Sequence, residues 1–326
     1  MASVTKRGEV LSVTAYAGDA KTLLAFDLPK KKAKNLAGFT IECKPGHRPP
    51  YYLHNTLQFK TPGDHMQDAA EPANSSINAP LHKFRWLHVP GQFHQGVDPF
   101  FGNYRYTVTP RYFDEDGSLT PLDKSLSVNV ALDVVPFRKK GLALGFTRGF
   151  VQSQAFGRHF GLKALIRPKN DELLFDTSEI AGQNAQGDEF TYDDEYRWLG
   201  FTARERIFEL LEEVANDKSL RMDVFAYDCN EPRVVQLLVN LAKQNRLRMI
   251  LDDAPLHHTK TNSKPEDQVE ALITKARKGV IKRGKFGRYS HDKVFIVSNA
   301  KGPQRVLTGS TNFSVTGLYV NSNHVL

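Results

Sequence analysis

Hydrophobic and polar positions along the 326-residue chain follow two periodic patterns, and the pattern changes near residue 200. Up to about residue 135, short β-rich segments recur between turn signals. In the last of them, Leu126, Val128 and Val130 alternate with Ser127 and Asn129, which is typical of a strand with one buried face. The segments are EVLSVTAY, TLLAFDL, GFTIECK, YYLHNTLQF, YRYTVTPRYF and SLSVNVALDV.

These segments predict an all-β domain over residues 1–135. The DEDGS turn at 114–118 and the frequent Pro and Gly residues favour a β-sandwich of immunoglobulin or fibronectin-like type, with another all-β module as the alternative.

Past residue 200, helical periods alternate with short strands. Thr202 and Glu205 predict a capping box that opens a first helix, Pro232 marks the start of a second, and a third begins near Pro265. The predicted strands between and after them are LRMDVFAYD, RLRMILDD, KVFIV and RVLTG. This alternation indicates an α/β layer with a largely parallel or mixed sheet, whose ligands lie at the carboxyl ends of the strands.

Residues 136–195 show neither the strand pattern nor the helix-strand alternation clearly. We therefore interpret them as a connecting segment between the all-β domain and an α/β domain at 196–326. The acidic stretch DEFTYDDEY at 188–196 is most simply explained as a solvated loop.

Composition narrows the classes of function. A hydrophobic share of 40% without a long apolar run excludes a membrane-spanning protein, and the N-terminus lacks a secretory signal, so we expect a cytoplasmic location. Only Cys43 and Cys229 are present, too far apart for a CxxC metal site, and Cys229 is interpreted as a buried structural thiol. The net charge of +8 favours polyanionic partners, either nucleic acid or acidic membrane headgroups.

The candidate chemistry lies in the stretch YSHDKVFIVSNAKGPQRVLTGSTNFS. If a strand begins at His291, alternation places His291 and Lys293 on one face, so that a nucleophile and a fixed cation share a pocket. Gly309 permits a turn that presents the Ser310 hydroxyl and the Asn312 amide to phosphate oxygens. Imidazole can attack phosphorus while these groups stabilise the equatorial oxygens, and no metal is needed.

These residues resemble the phospholipase D superfamily, whose signature is HxK, four residues, an aspartate, a spacer and GSxN. The likeness covers roughly residues 195–326. It implies a phospholipase D-like half-domain preceded by the sandwich-like domain, and a metal-independent phosphodiesterase that needs no cofactor and works through a phosphohistidine. His291 is then the nucleophile or general acid, and Lys293, Ser310 and Asn312 bind phosphate. A bacterial nuclease is the member of the superfamily that we favour by resemblance.

Two departures from the family pattern stand out. Ser298 occupies the position of the family's aspartate, and Asp252 or Asp253 at a neighbouring strand end is the candidate substitute. The family also needs two motifs, whereas one is found here and the sequence ends at NSNHVL. We therefore expect the second HxK half-site to come from a missing C-terminal portion or from a homodimer partner.

A basic run, KARKGVIKRGKFGR at 275–288, precedes His291 and is interleaved with Phe286 and followed by Tyr289. It predicts contacts with a phosphodiester backbone and stacking on single strands. Nucleic acid is therefore favoured over phospholipid as partner. Two alternatives stay open: a phospholipase D or phosphatidyltransferase acting on lipid headgroups, and a catalytically degenerate nucleic-acid-binding module. The candidate substrate-binding residues are Lys282, Arg283, Lys285, Arg288 and Gly309.

His257 and His258 follow Asp252 and Asp253 closely enough to suggest a metal cluster. Adjacent histidines on a loop seldom bind one ion, so we predict no metal site there.

Overall fold

The computed structural model describes residues 3–91, 94–149, 153–169, 172–261 and 264–326. Its internal contacts divide the chain into two units, Met1–Gln95 with Pro99–Pro136, and Gly96–Asp98 with Phe137–Leu326. No helix among the described residues is long and apolar enough to cross a membrane.

The first unit contains two four-stranded antiparallel sheets, β1-β2-β3-β6 and β5-β4-β7-β8. Buried side chains from both sheets, among them Val13, Leu24, Ile41 and Val130, form one hydrophobic cluster. The strands are β1 Ser3–Arg7, β2 Ser12–Ala17, β3 Thr22–Asp27, β4 Leu36–Pro45, β5 Tyr51–Tyr52, β6 Arg85–His88, β7 Gly102–Tyr112 and β8 Val128–Val134.

The alternation predicted for β8 is confirmed, since every second residue from Val128 to Val134 is buried and those between are exposed. In YYLHNTLQF, however, only Tyr51 and Tyr52 form a strand, and β1 and β6 were not predicted. These two strands carry mixed polar residues at or near a sheet edge, where one-sided burial leaves a weak pattern.

The second unit is a mixed α/β fold built on a five-stranded sheet of order β16-β15-β14-β17-β18. β14, β15 and β16 run parallel, whereas β17 is antiparallel to β14 and β18 is antiparallel to β17. The sheet strands are β14 Arg221–Ala226, β15 Leu247–Asp252, β16 Ile281–Gly284, β17 Lys293–Asn299 and β18 Gly302–Leu307.

Among the residues that the structure describes, short strands and four helices complete this unit. The short strands are β9 Arg138–Lys139, β10 Leu142–Ala143, β11 Gly145–Phe146, β12 Ile180–Gln183, β13 Glu189–Thr191 and β19 His324–Val325. The helices are α1 Gln154–Phe160, α2 Tyr192–Asn216, α3 Pro232–Lys243 and α4 Pro265–Ala276, and Thr316–Val320 form one π-helical turn. The predicted starts of α3 and α4 at their prolines are confirmed.

The interpretation of 188–196 as a solvated loop is wrong. These residues form β13 and the first turn of α2, and Glu195 and Tyr196 are fully buried. The capping box of α2 joins Thr191 to Asp194. Thr202, predicted to be the cap, lies inside α2, and its hydroxyl accepts a hydrogen bond from the Phe146 amide at 2.9 Å.

Candidate active site at the sheet edge

The strand order of the five-stranded sheet brings several chain segments together at one end of its strands, which we call the sheet edge below. β14 ends at Ala226 and β15 at Asp252, and because β17 runs the other way, its first residue, Lys293, pairs with Ala226. The residues after β14, at the end of β15 and before β17 therefore meet. We call Tyr227, Asp228, Asp252, His257, His291 and Lys293 the strand-end cluster.

Lys293 and His291 differ in exposure. Lys293 is 6% exposed, and its Nζ donates to the His291 carbonyl at 3.0 Å and lies 5.2 Å from the centre of the Tyr227 ring. The strand begins at Lys293, so the prediction that His291 starts it is wrong. His291 precedes it with an exposed ring that packs edge-on to Tyr227, the centroids 4.5 Å apart. An exposed imidazole thus lies beside a buried cation.

The electrostatics of the pair favour a neutral imidazole. Burial, and next the Lys293 ammonium, lower the pKa of His291, although Asp292 and Asp252 oppose the shift. Burial also lowers the pKa of Lys293, against the attraction of Asp228. The lowered pKa of His291 favours the neutral form of its imidazole at neutral pH.

The Asp228 carboxylate attracts the Lys293 ammonium electrostatically. Its carboxylate accepts hydrogen bonds from Ser314 Oγ at 2.6 Å and Asn230 Nδ2 at 2.9 Å. Burial, and next the neighbouring Asp228, raise the pKa of Glu266, which also accepts from the Cys229 amide. The raised pKa favours the protonated, neutral form of the Glu266 carboxyl at neutral pH.

Asp252 and His257 form a second pair in the cluster. Asp252 is fully buried, and His257 Nδ1 donates to its Oδ2 at 2.9 Å. The same carboxylate accepts the Ser290 amide at 2.5 Å, one residue before His291. Burial alone raises the pKa of Asp252, but hydrogen bonds from His257, Ser290 and Ala254 outweigh it and the pKa is lowered. The candidate substitute proposed from the sequence thus lies at the site, whereas no side-chain hydrogen bond joins Asp253 to the described residues.

The GSTN turn follows β18 at the same edge. Beyond Leu307 the chain pairs with the C-terminal segment, since Gly309 forms an antiparallel bridge with Val325. Gly309 has φ +151°, and a Cβ there would lie 2.2 Å from the His324 carbonyl oxygen, so only glycine fits. The Ser310 hydroxyl donates to Asn323 Oδ1 at 2.9 Å and accepts from the His324 amide. Ser310 therefore fixes the loop that returns to β19.

Asn312 is half-buried, and its Oδ1 has no hydrogen-bond partner among the described residues. The neighbouring backbone is tied to the end of β14, because the Asn230 amide donates to the Phe313 carbonyl at 3.1 Å. Asn312 thus lies on a segment that is joined to the end of β14, close to the strand-end cluster.

Comparison with solved structures finds partial similarity. NucT from Helicobacter pylori is 16% identical over 37% of this chain and 76% of its own, with a TM-score of 0.30. Nuc from Salmonella typhimurium, described as a phospholipase D family member, is 21% identical over 37% of this chain and 72% of its own, with a TM-score of 0.27. No family model and no curated protein matches the sequence.

A polyphosphate kinase from Porphyromonas gingivalis is similar over the same share of this chain, 37%, but over only 20% of its own, at 14% identity and a TM-score of 0.29. Because these TM-scores are well below 0.5, no residue role is transferred from the matched proteins to this chain.

The departure of Ser298 from the superfamily pattern has a simple geometry. Ser298 lies near the far end of β17, paired across the sheet with Arg221 at the start of β14. It lies five positions along the strand from Lys293, which is about 16 Å at 3.3 Å per residue. A carboxylate at 298 would be too distant to orient His291, so the serine removes nothing from the strand-end cluster.

The basic run divides into structural and exposed residues. Arg283 lies on the unpredicted strand β16 and forms ion pairs with Asp267 and Glu270, at 2.9 and 2.8 Å. Its predicted role in substrate binding does not agree with this placement, since its guanidinium also donates to the Asp252 carbonyl. Lys282, Lys285 and Arg288 are exposed instead, and Phe286 and Tyr289 expose 79% and 42% of their surfaces.

In the described part of the chain, two groups of side chains have metal-ligating atoms within 4.8 Å of one another: Asp228, His257 and Glu266, and His258, Asp267 and Glu270. In the second group, Arg283 neutralises Asp267 and Glu270. In the first group, the carboxylate oxygens already accept hydrogen bonds from Ser314, Asn230 and the Cys229 amide. The expected absence of a metal is left as a prediction.

Sequence reasoning missed Asp228, Glu266 and the pairing of His257 with Asp252. Position after a strand marks Asp228 as a candidate, because strand ends carry ligands in α/β sheets. Glu266 lies in the first turn of α4, where an acidic residue is ordinarily explained by the helix dipole.

Proposed function

We propose that the chain is a metal-independent phosphodiesterase, most specifically a nuclease that acts through a phosphohistidine intermediate. The observation that carries the proposal is the exposed ring of His291 beside the buried ammonium of Lys293 at one sheet edge. A neutral imidazole provides the nucleophile, and the fixed cation stabilises the negative charge that builds on the phosphoryl oxygens.

In the proposed reaction, His291 attacks phosphorus and Lys293 attracts the equatorial oxygens. Asn312 supplies amide donors from the GSTN turn, while Gly309 and Ser310 hold that turn against β19. Among the described residues, Lys293 Nζ makes one hydrogen bond, to a carbonyl, so two of its three N–H groups are available for a phosphate there.

Nucleic acid is the proposed substrate because the loop that leads into His291 combines exposed cations with exposed rings. Phe286 and Tyr289 offer stacking surfaces, and Tyr289 lies 5.6 Å from the His291 ring, centroid to centroid. Lys285 and Arg288, beside them, are suited to the backbone phosphates. Stacking distinguishes bases from lipid headgroups, which present no π-face.

For the first unit, we propose that the two antiparallel sheets form a β-sandwich of immunoglobulin or fibronectin-like type. One hydrophobic cluster shared by both sheets supports this assignment.

The function is tested by cleavage of end-labelled single- and double-stranded DNA in EDTA. We expect the chain to cleave DNA and His291→Gln to lose cleavage while binding persists. His82→Gln, which changes an exposed histidine of the first unit, is the control and should cleave normally. Cleavage that survives in His291→Gln would exclude this site. Hydrolysis of phospholipid vesicles without DNA cleavage would assign the chemistry to headgroups, and DNA binding without cleavage would indicate a binding module.

A further inference from the structure

Two imidazole rings contact the same tyrosine at the sheet edge. The Tyr227 ring lies 4.2 Å from the ring of His257 and 4.5 Å from the ring of His291, centroid to centroid, and both contacts are edge-on. The centroids of the two imidazoles are therefore at most about 9 Å apart, the sum of these distances.

The orientation of His257 is fixed by a buried carboxylate. Because Asp252 Oδ2 accepts from Nδ1 at 2.9 Å, the proton of the neutral ring resides on Nδ1, and the other nitrogen, Nε2, is left to exchange a proton. The Ala254 and Ser290 amides hold the two carboxylate oxygens in place. Ser290 precedes His291, so one carboxylate positions His257 and anchors the segment that carries the nucleophile.

The neighbouring His258 shows what a purely structural pair looks like in this chain. Its Nδ1 contacts Asp267 Oδ1 at 2.6 Å, but Asp267 also forms an ion pair with Arg283 and accepts from the Lys264 amide, which together hold the start of α4. His258 has no ring contact with Tyr227 or His291 among the described residues.

We propose that His257 is the second histidine of the reaction, the general acid that protonates the leaving oxygen and then the general base for water. This proposal rests on the proposed function. As His291 attacks, an N–P bond forms, the P–O bond to the leaving group breaks, and the leaving oxygen takes the proton of protonated His257. Water then attacks phosphorus, gives its proton to His257, and the N–P bond breaks with its electron pair returning to His291.

The upper limit on the separation of the two rings leaves room for an in-line transfer. An attack distance of about 3 Å, a P–O bond and a hydrogen bond of about 3 Å place the two reacting nitrogens roughly 8 Å apart. The upper limit of about 9 Å between the ring centroids accommodates this span. Both histidines then belong to one chain, and no second HxK half-site from another copy is required.

The test compares two leaving groups in single-turnover experiments in EDTA, with the 326-residue chain in excess. One substrate is a single-stranded oligodeoxynucleotide, whose alkoxide must be protonated, and the other is thymidine 5′-(4-nitrophenyl phosphate), whose nitrophenolate leaves without a proton. We expect His257→Gln to slow DNA cleavage by about 10²- to 10⁴-fold and the first release of nitrophenolate by less than about tenfold. His258→Gln should change neither rate.

Retained nitrophenolate release also shows that the site of His257→Gln is folded. An equal loss with both substrates, or no loss with either, would overturn the assignment while the proposed function stands. A wild-type rate per chain that rises with protein concentration would place the second histidine on another copy and also overturn it. Failure of the wild-type chain on both substrates would overturn the proposed function, and the role of His257 with it.

Discussion

Asp252, at the end of β15, is a fully buried carboxylate in the strand-end cluster. Its hydrogen bonds to His257 and to the Ser290 amide connect it to both sides of the site. Ser298, which replaces the family's aspartate in sequence, lies at the opposite end of β17. The sequence offered Asp252 or Asp253 as the substitute for the aspartate that Ser298 replaces, and the hydrogen bonds of the structure place Asp252 beside His257 and the segment before His291.

This geometry predicts that Ser298→Asp leaves cleavage nearly unchanged. A new charge about 16 Å from Lys293 lies beyond the Debye length of about 8 Å at physiological salt, so kcat/KM on DNA should stay within about twofold. Asp252→Asn is the matched comparison and should lose most of the activity. A gain of tenfold or more in Ser298→Asp would show that a carboxylate at position 298 does act on the site.

The elements that the sequence predicted best are those with a strong amphipathic period. α3 and α4 begin at Pro232 and Pro265 as expected, because proline fixes the first turn and the buried positions recur every three to four residues. β16 was missed because its residues, IKRG, carry a basic pattern that resembles a loop. Its Arg283 is held by acidic residues of α4, a tertiary contact with no local signal.

The start of α2 was missed for a different reason. Its first turn is rich in acidic residues, and we interpreted that acidity as a sign of exposure. Two signals in the sequence do indicate a helix: Tyr192 and Tyr196 recur at helical spacing, and Thr191 and Asp194 have the spacing of a capping box. The structure places Glu195 fully inside, and neither of its carboxyl oxygens has a hydrogen-bond partner among the described residues.

Glu195 gives α2 a testable pH dependence. Burial, and next Asp194, raise its pKa to about 8, so the folded state retains a proton that the unfolded state releases near pH 4.5. The free energy of unfolding therefore falls as pH rises between these values. In Glu195→Gln that fall between pH 5 and pH 8 should be smaller by about 3 kcal/mol. Denaturant unfolding at both pH values measures it, with the exposed Glu179→Gln as control. An unchanged pH dependence in Glu195→Gln would contradict the burial of a protonated carboxyl.

At the scale of the whole molecule, the net charge of +8 predicts attraction of a polyanion but does not predict the surface where it binds. The structure separates the basic residues that are used internally from those that are exposed. Arg283 belongs to the first kind, and Lys282, Lys285 and Arg288 to the second.

Salt dependence tests that division. If Lys282, Lys285 and Arg288 each contact a phosphate, the logarithm of the affinity for single-stranded DNA should fall with the logarithm of salt at a slope of about −2. The double variant Lys285→Gln, Arg288→Gln should reduce the slope to about −0.7. The control removes two exposed lysines of the first unit, Lys30→Gln with Lys31→Gln, and should keep the original slope. An equal reduction by the control would indicate diffuse attraction by the net charge.

The most direct measurement is to trap the covalent intermediate. The chain is mixed with a phosphodiester labelled at phosphorus, quenched in alkali during the first turnover, digested, and its peptides are analysed by mass spectrometry. The account predicts a phosphoryl adduct on His291 that is absent from His291→Gln and accumulates in His257→Gln with the nitrophenyl ester. Turnover without an adduct, or an adduct on another residue, would contradict the assignment of His291 as the nucleophile.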